Sequence, residues 1–366
     1  MRIREILFNN FRSFRGEHRI SFVDPTTNTV RPLTVLAGSN GSGKTTVLEA
    51  IDALLRFLLD PLVTTDFLQE IQTSGLIVLT LEISRDDTEA DGLFHGDMHI
   101  AVGQRSLAPD NLDQAWPSRV VRLVQADSPQ QTDHDDMLAI QLRRLVSQAK
   151  RTSAAGHGGW LYFPYDRRLA ATRGGTIGPP ADEQHWAFRF KSSDRWKDSL
   201  EQLWVWQNYL DLERQSKPSG TSPRLPNFVR SVENILGENR RIFIEEGRVR
   251  VTTPYQVAGE AVSVRFDQLP SGEQQVLLLL GELARRRREG AVIAIDEIEN
   301  SLHPTLQRLL VWNLNQLARE WDAQVIVTTH SLEVINSVRG SAFINLDYPA
   351  DRFNLPIPVT PGEATV

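Results

Sequence analysis

Hydrophobic and polar positions alternate at the start of the chain, at Ile3 and then Ile6 to Phe8. After the turn signal Gly16-Glu17 the stretch HRISF resumes the alternation, which predicts two strands paired antiparallel. Leu33 to Gly38, LTVLAG, is a short apolar run of the kind that forms a buried strand. The period then changes: Val47, Ile51, Leu54, Leu55 and Leu58 recur at helical spacing, so a glycine-rich loop stands between a strand and a helix. Three more strand-like segments, GLIVLTLEIS, MHIAVG and VVRLVQ, are separated by polar, turn-rich spacers and predict an antiparallel layer beside the first sheet. From about residue 137 the pattern is helical, in MLAIQLRRLVSQAKR, DRWKDSLEQLWVWQNYLDLER and FVRSVENIL. Strands then return: a hairpin RIFIEEGRVRVTT around Glu246-Gly247, followed by AVIAIDE, AQVIVTTHS and AFINLD. The expected fold is α/β, with a mixed or parallel core sheet, an antiparallel β layer and a largely helical insertion.

With 366 residues, 40% of them hydrophobic, the chain can bury one large core or two smaller ones. No apolar run reaches membrane-spanning length and the first twenty residues form no secretory core, so a cytoplasmic location without membrane contact is expected. Cysteine is absent, which excludes disulfides, thiolate zinc sites and a cysteine nucleophile. A net charge of −6 gives no global footprint for nucleic acid. The densest basic run, Arg285 to Arg288, falls where a helix should end and where cations complement its dipole.

The stretch GSNGSGKTT satisfies G-x-x-x-x-G-K-[ST] with a strand before it and a helix after it. Its residues are Gly38, Ser39, Asn40, Gly41, Ser42, Gly43, Lys44, Thr45 and Thr46. Three glycines let backbone N–H groups wrap a phosphate, and the following helix adds its positive end. Lys44 is expected to bridge the β- and γ-phosphates of a nucleotide, and the Thr45 hydroxyl to bind Mg²⁺.

AVIAIDEIENSLHP ends an apolar strand on Asp296, where a carboxylate can hold Mg²⁺ as a Walker B aspartate does. Adjacent acids beside an apolar run are costly without cationic partners, which the local sequence does not offer. Glu297 is therefore read as the group that orients and deprotonates the attacking water. His330 closes the strand VIVTT. Such a histidine is ordinarily structural or on the surface, but at the strand ends of an open α/β sheet it would stand beside Glu297 at the γ-phosphate.

In DQLPSGEQQVLLLLGELARRRREG, Ser271 and Gln274 have the spacing of a capping box. That explains the serine and the glutamine but not Gly272 behind the cap. A bare helix N-terminus with a free hydroxyl is an anion site, and Gly272 would let a phosphate approach.

The ordered set GSNGSGKTT, LPSGEQQ, AIDEIENSLHP and VIVTTHS resembles the ABC-type P-loop ATPases, with Ser271, Gly272 and Glu273 as the signature motif. The NFRSF start and the LHP after the acidic pair resemble the RecF, SMC and OLD-like branch more than transporter subunits. The resemblance covers about residues 1–60 and 265–335. It implies ATP and Mg²⁺ as cofactors, and two heads packed head to tail so that the signature helix of one faces the ATP of the other. It also places Arg12 near the nucleotide and matches Ser301 and Leu302 to a segment that crosses between subunits. The family's Mg²⁺-sensing glutamine has no secure counterpart, with Gln125 the one candidate. In these terms residues 1–135 are the first part of an ATPase head, 136–258 the insertion or lid, and 259–366 the second part of the head.

Only 36 residues follow His330, too few for the nuclease domain of OLD-like proteins. An output is therefore expected on a separate effector, a nuclease or toxin, in anti-phage defence. The alternatives are a DNA-maintenance ATPase, with DNA a candidate partner, the nucleotide-binding subunit of a membrane transporter, and an ATP-gated scaffold. The Trp-rich stretch, with Trp186, Trp196, Trp204 and Trp206, reads either as core or as an interface. YFPYDRRL, with Arg167 and Arg168, is a second candidate contact for nucleotide or DNA phosphate.

Overall fold

The computed structural model describes residues 1–59, 66–83, 96–109, 120–122, 158–169, 174–179, 186–193, 195–215, 229, 232–233, 235–237, 240–257, 260–338 and 342–347. The N-terminal alternation forms β1 (Arg2–Phe11) and β2 (Phe14–Ser21), paired antiparallel with Ile6 opposite Ile20. A short ribbon of β3 (Val23–Asp24) and β4 (Thr29–Val30) leads to β5 (Leu33–Ala37), buried along its whole length. α1 (Lys44–Leu59), α2 (Asp66–Ser74), β6 (Leu76–Ile83), β7 (Gly96–Gly103) and β8 (Val120–Arg122) follow. The middle of the chain gives β9 (Trp160–Phe163), β10 (Ala187–Arg189) and α3 (Leu200–Gln215). Then come β11 (Ile242–Glu245), β12 (Arg248–Val257) and β13 (Glu260–Arg265), followed by α4 (Ser271–Arg285) and β14 (Val292–Ile295). The last elements are α5 (Pro304–Glu320), β15 (Gln324–Thr329), α6 (Leu332–Asn336) and β16 (Phe343–Asn345).

The central sheet has the order β10-β9-β14-β15-β5-β16 and every neighbouring pair is parallel. Buried on both faces, its strands read as continuous apolar runs, which is why β5, β14 and β15 are visible in the sequence. β9 and β10 are not, and they correct the expected organisation. They fall inside the segment expected to be a helical insertion, yet β9 pairs with β14 in the core, with Phe163 opposite Ile295. With the hairpin strands β11 and β12 also inside 136–258, the described part of that segment is as much sheet as helix.

A second sheet, β2-β1-β6-β7-β8, is antiparallel except at its edge. The first two strands of the chain therefore belong to this layer and not to the sheet of β5. β8 runs parallel to β7, against expectation. A parallel neighbour needs a dozen or more connecting residues, and residues 104–119 separate the two strands.

Side chains alternate across the parallel sheet. Val35, Phe163, Ile295 and Val327 face α4, α5 and α3, while Leu36, Tyr162, Ala294 and Ile326 face α1. α1 is sandwiched: Val47, Leu48, Ile51, Leu54 and Leu55 share one cluster with Ile6, Phe8, Ile77 and Leu79 of the antiparallel sheet. Each fully buried Leu or Ile there contributes about 1.5–3 kcal/mol relative to exposure. Within this apolar layer the buried Asp52 carboxylate of α1 accepts bonds from Trp160 Nε1 at 2.8 Å, Arg56 Nε at 2.9 Å and Arg189 Nη1 at 3.1 Å. A buried carboxylate with three donors is satisfied, and it fastens α1 to β9 and β10.

Trp186, Trp196 and Trp204 are buried, with Trp204 5.2 Å from the Phe266 ring, so most of the Trp-rich stretch is core. Trp206 stacks on Tyr209, which is exposed. The helix expected from Asp194 begins at Leu200, behind a 3₁₀ turn at Trp196–Asp198. The described positions of FVRSVENIL are helical, whereas Gln125 and the helix expected over 137–151 lie outside the described residues. Arg286 at the end of α4 pairs with Glu282 and packs 3.6 Å over the Phe188 ring, and Arg288 is buried, so the basic run is largely structural.

Candidate functional site

The C-terminal ends of β5, β14 and β15 deliver the predicted glycine loop, acidic pair and His330 to one edge of the central sheet. Between β5 and α1 the backbone enters the left-handed region at Gly41 (φ 83°) and Gly43 (φ 97°). At Gly43 a Cβ would also lie 2.5 Å from the Phe14 ring and 2.6 Å from Ser13 Oγ, so the loop and the β1–β2 turn close on each other only with glycine there. Lys44 Nζ donates to the carbonyls of Gly38 at 2.9 Å and Ser39 at 2.8 Å. Burial lowers its pKa, while the carboxylates of Asp347, Asp296, Glu299 and Glu297 act in the opposite sense. Ser39 is held from the far end of the chain: Asp347, just past β16, accepts from its backbone N–H at 2.8 Å and its hydroxyl at 2.6 Å. Those bonds lower the Asp347 pKa.

Thr45 Oγ1 donates to the Asp296 carboxylate at 2.9 Å, across 251 residues of sequence. Thr328 on β15 donates to the same carboxylate. Asp296 is fully buried and Glu297 half-buried. Glu297 adopts φ 45°, a left-handed conformation that costs a non-glycine residue about 1–3 kcal/mol and persists only where the surroundings enforce it. Its N–H is held by Thr328 Oγ1 and its carbonyl by Arg167 Nη2, both at 2.8 Å.

Arg167 is the cationic partner that the sequence around the acids lacks. Its side chain is 2% exposed and also donates to the carbonyls of Asp296 and of Pro164. Burial pulls its pKa down to about 10, with the neighbouring carboxylates opposing, so it stays protonated at neutral pH. This replaces the expectation that Arg167 serves a nucleotide or DNA phosphate. Arg168 remains exposed. With a cation at hand, the acidic pair is no longer unexplained by structure alone, and the reading of Glu297 rests on where its side chain lies.

That place is a cleft of about 350 Å³ lined by Arg12, Ser13, Asn40, Gly41, Gly43, Lys44, Thr45, Thr46, Glu297 and His330. Arg12, in a left-handed turn (φ 50°), pairs with Glu70 at 2.8 Å and packs 4.6 Å from the Phe67 ring. His330 is exposed, and its backbone N–H is held by Glu299. Gly38, Ser39, Ser42 and Asp296 support the cleft without lining it.

The three residues Ser271, Gly272 and Glu273 are not in the cleft. Ser271 is the first residue of α4 and is exposed; the N-cap is Pro270, and no side chain caps the helix. Gln274 donates instead to the carbonyls of Asp267 and Leu269, so the expected capping box does not form. Gly272 is buried against the turn after the acidic pair, where a Cβ would stand 2.8 Å from the Ser301 carbonyl oxygen. Packing within the chain therefore already demands glycine at this position. Glu273 is paired with Arg240, and burial raises its pKa against the pull of that partner. Ser301 is exposed in a left-handed turn (φ 62°) and Leu302 is buried.

Two family models match the two blocks in which these residues lie. Residues 1–103 match a model described as "AAA ATPase domain", and residues 166–336 match one described as "AAA domain, putative AbiEii toxin, Type IV TA system". Both models describe AAA-type ATPase domains, and the chain is a P-loop ATPase. Among solved structures it is similar to an SMC head domain from Thermotoga maritima (13% identity, 92% of each chain, TM-score 0.42). It is also similar to an SMC head bound to the C-winged helix domain of ScpA (11% identity, 94% of each chain, TM-score 0.45). A third match is an SMC head with an extended coiled coil bound to the C-terminal domain of ScpA, derived from Pyrococcus furiosus (12% identity, 94% of this chain and 92% of that one, TM-score 0.42).

ATPases of this kind use ATP and Mg²⁺, and the residues present fit both. The Thr45 hydroxyl and the Asp296 carboxylate are adjacent hard oxygen donors. Among the described residues no group of three or more acidic, histidine or cysteine side chains is placed to hold a metal ion, and Mg²⁺ would complete its shell with phosphate oxygens and water. No described helix of the ATPase is long and apolar enough to cross a membrane.

Proposed function

We propose that the ATPase works as a head-to-tail dimer with two composite ATP sites and that ATP-dependent closure controls a separate effector, a nuclease or toxin, in bacterial anti-phage defence. In each site Lys44 bridges the β- and γ-phosphates and Arg12 stands beside the nucleotide. Thr45 and Asp296 hold Mg²⁺, whose bound charge neutralises the phosphates. Glu297 orients the attacking water and takes its proton as the bond from the γ-phosphorus to the β–γ bridging oxygen breaks, and His330 contacts the γ-phosphate. Ser271, Gly272 and Glu273 come from the other subunit, with the hydroxyl of Ser271 and the open end of α4 directed at that phosphate.

The observation that carries this reading is the N-terminus of α4, which is exposed at Ser271, lacks a side-chain cap and is absent from the cleft of its own chain. The description of the second family model, which names a type IV toxin–antitoxin system, supports the role in defence.

Light scattering on the wild type and on Glu297→Gln, with and without ATP and Mg²⁺, tests the dimer. The expected result is that Glu297→Gln binds ATP without turnover and accumulates as a larger species, which Ser271→Arg in the same chain abolishes. A size independent of ATP would remove Ser271 from the partner's site.

A further inference from the structure

Among the described residues, the most completely enclosed cation is not in the cleft. Arg167 follows β9, and its guanidinium holds three consecutive features of the catalytic edge. It donates to the carbonyl of Pro164 at the end of β9, to that of Asp296, and to that of Glu297 at 2.8 Å. A guanidinium presents several donors in a rigid plane, so these bonds fix the relative positions of β9 and the β14 turn in a way a single ammonium cannot. Glu297 needs such fixing because its left-handed backbone would relax if released. The backbone of Arg167 is held in turn: its carbonyl accepts from Gln275 Nε2 at 2.9 Å. Gln275 is buried one turn from Ser271 on α4. A continuous set of bonds thus runs from the open end of α4 through Gln275 and Arg167 to the backbone of Glu297.

We propose that Arg167 is a positioning residue for hydrolysis, holding the Asp296–Glu297 turn so that the Glu297 carboxylate points into the cleft, and that Gln275 transmits displacements of the signature helix to that turn. The proposal deepens the reading of Glu297 as the base and rests on it. Whatever engages Ser271 then alters not only the partner's nucleotide but also the alignment of the acid in its own subunit.

Steady-state hydrolysis and fluorescent-nucleotide titration of Arg167→Met, Arg167→Lys, Gln275→Met and Glu297→Gln provide the test. A carboxylate displaced by about 1 Å loses on the order of 100-fold in rate. The expected result for Arg167→Met is a kcat lower by about that factor, with nucleotide Kd within about threefold of wild type. Arg167→Lys keeps the charge but not the fork, and is expected to lose at least about tenfold in kcat. Gln275→Met, which leaves Arg167 in place, is expected to lose a smaller factor in kcat, again without change in Kd. A merely structural Arg167 would lower the melting temperature and leave kcat per folded molecule unchanged, which overturns the proposal. If Arg167→Met does not fold, wild-type turnover by Arg167→Lys overturns it equally. Should Glu297→Gln hydrolyse ATP normally, the assignment of the base fails. If Glu297→Gln is inactive while both Arg167 variants turn over normally, only the positioning role fails.

Discussion

The cleft draws its lining from the ends of β5, β14 and β15 and from the turn after β1, whereas the open end of α4 is made by consecutive residues around Pro270 and Ser271. The two places therefore differ in what completes them. Around the cleft, several groups are held by residues far off in sequence: Thr45 by Asp296, Ser39 by Asp347, the Glu297 turn by Arg167 and Thr328. At α4 distant partners reach Gly272, Glu273 and Gln275, but Gln274 turns back to the carbonyls of Asp267 and Leu269 and the helix end is left without a side-chain cap. A site assembled by convergence is finished when the chain folds. An end left open awaits a group from outside.

Substitutions can break this contrast, and the largest effect is expected in the cleft. Lys44→Ala should reduce ATP hydrolysis by about 10³-fold and abolish measurable nucleotide binding, read by phosphate release and titration. Glu297→Gln should lose about 10²-fold or more in kcat while keeping its nucleotide affinity. Ser271→Arg should be inactive in hydrolysis through loss of the dimer, yet its monomer should bind nucleotide within about twofold of wild type, because well-separated sites behave additively. If its affinity falls with its activity, the open end belongs to its own subunit's site and the contrast collapses. Gly272→Ala probes the packing side of the same segment. Forcing a methyl against the Ser301 carbonyl should cost about 1–3 kcal/mol in chemical denaturation even without nucleotide.

The smallest effect concerns Asp347, whose exposed carboxylate clamps Ser39. Asp347→Ala should change stability by less than about 1 kcal/mol. Its folded pKa is depressed below the ordinary value of 3.8, so the clamp is fully formed above that value and is lost as pH falls through the lower one. Amide exchange at Ser39, corrected for its intrinsic pH dependence, should stay constant from pH 7 to 5 and quicken only in stronger acid.

The parts legible in the sequence are those with local signals. β5, the glycine loop and α1 announce themselves by a change of period, and the acidic pair and His330 by their places at the ends of apolar runs. Illegible were contacts closed over long separations. Arg167 lies 129 residues from the carbonyl of Asp296 that it holds, and nothing in YFPYDRRL distinguishes a buried arginine from a surface one. β9 is four residues long, too short to show a period, and β10 is three. Ser271 and Gln274 had the spacing of a capping box, but with Pro270 as the N-cap Ser271 became the first helical residue and the glutamine turned back to the preceding carbonyls. Gly272 signalled a close approach but not the Ser301 carbonyl that makes one, since a missing Cβ does not say what fills the space.

β5 sits between β15 and β16, so the strand that carries the glycine loop, residues 33–37, has both hydrogen-bonding edges filled by residues beyond 323. During synthesis that strand must wait, bare on both sides, until residues 324–345 have emerged. Pairings this distant fold slowly and leave sticky edges exposed meanwhile. Ribosome-bound chains stopped before Gln324 should therefore be protease-sensitive at β5 and unable to retain nucleotide, so the birth of the molecule, more than its resting state, is where its unpaired edges lie open.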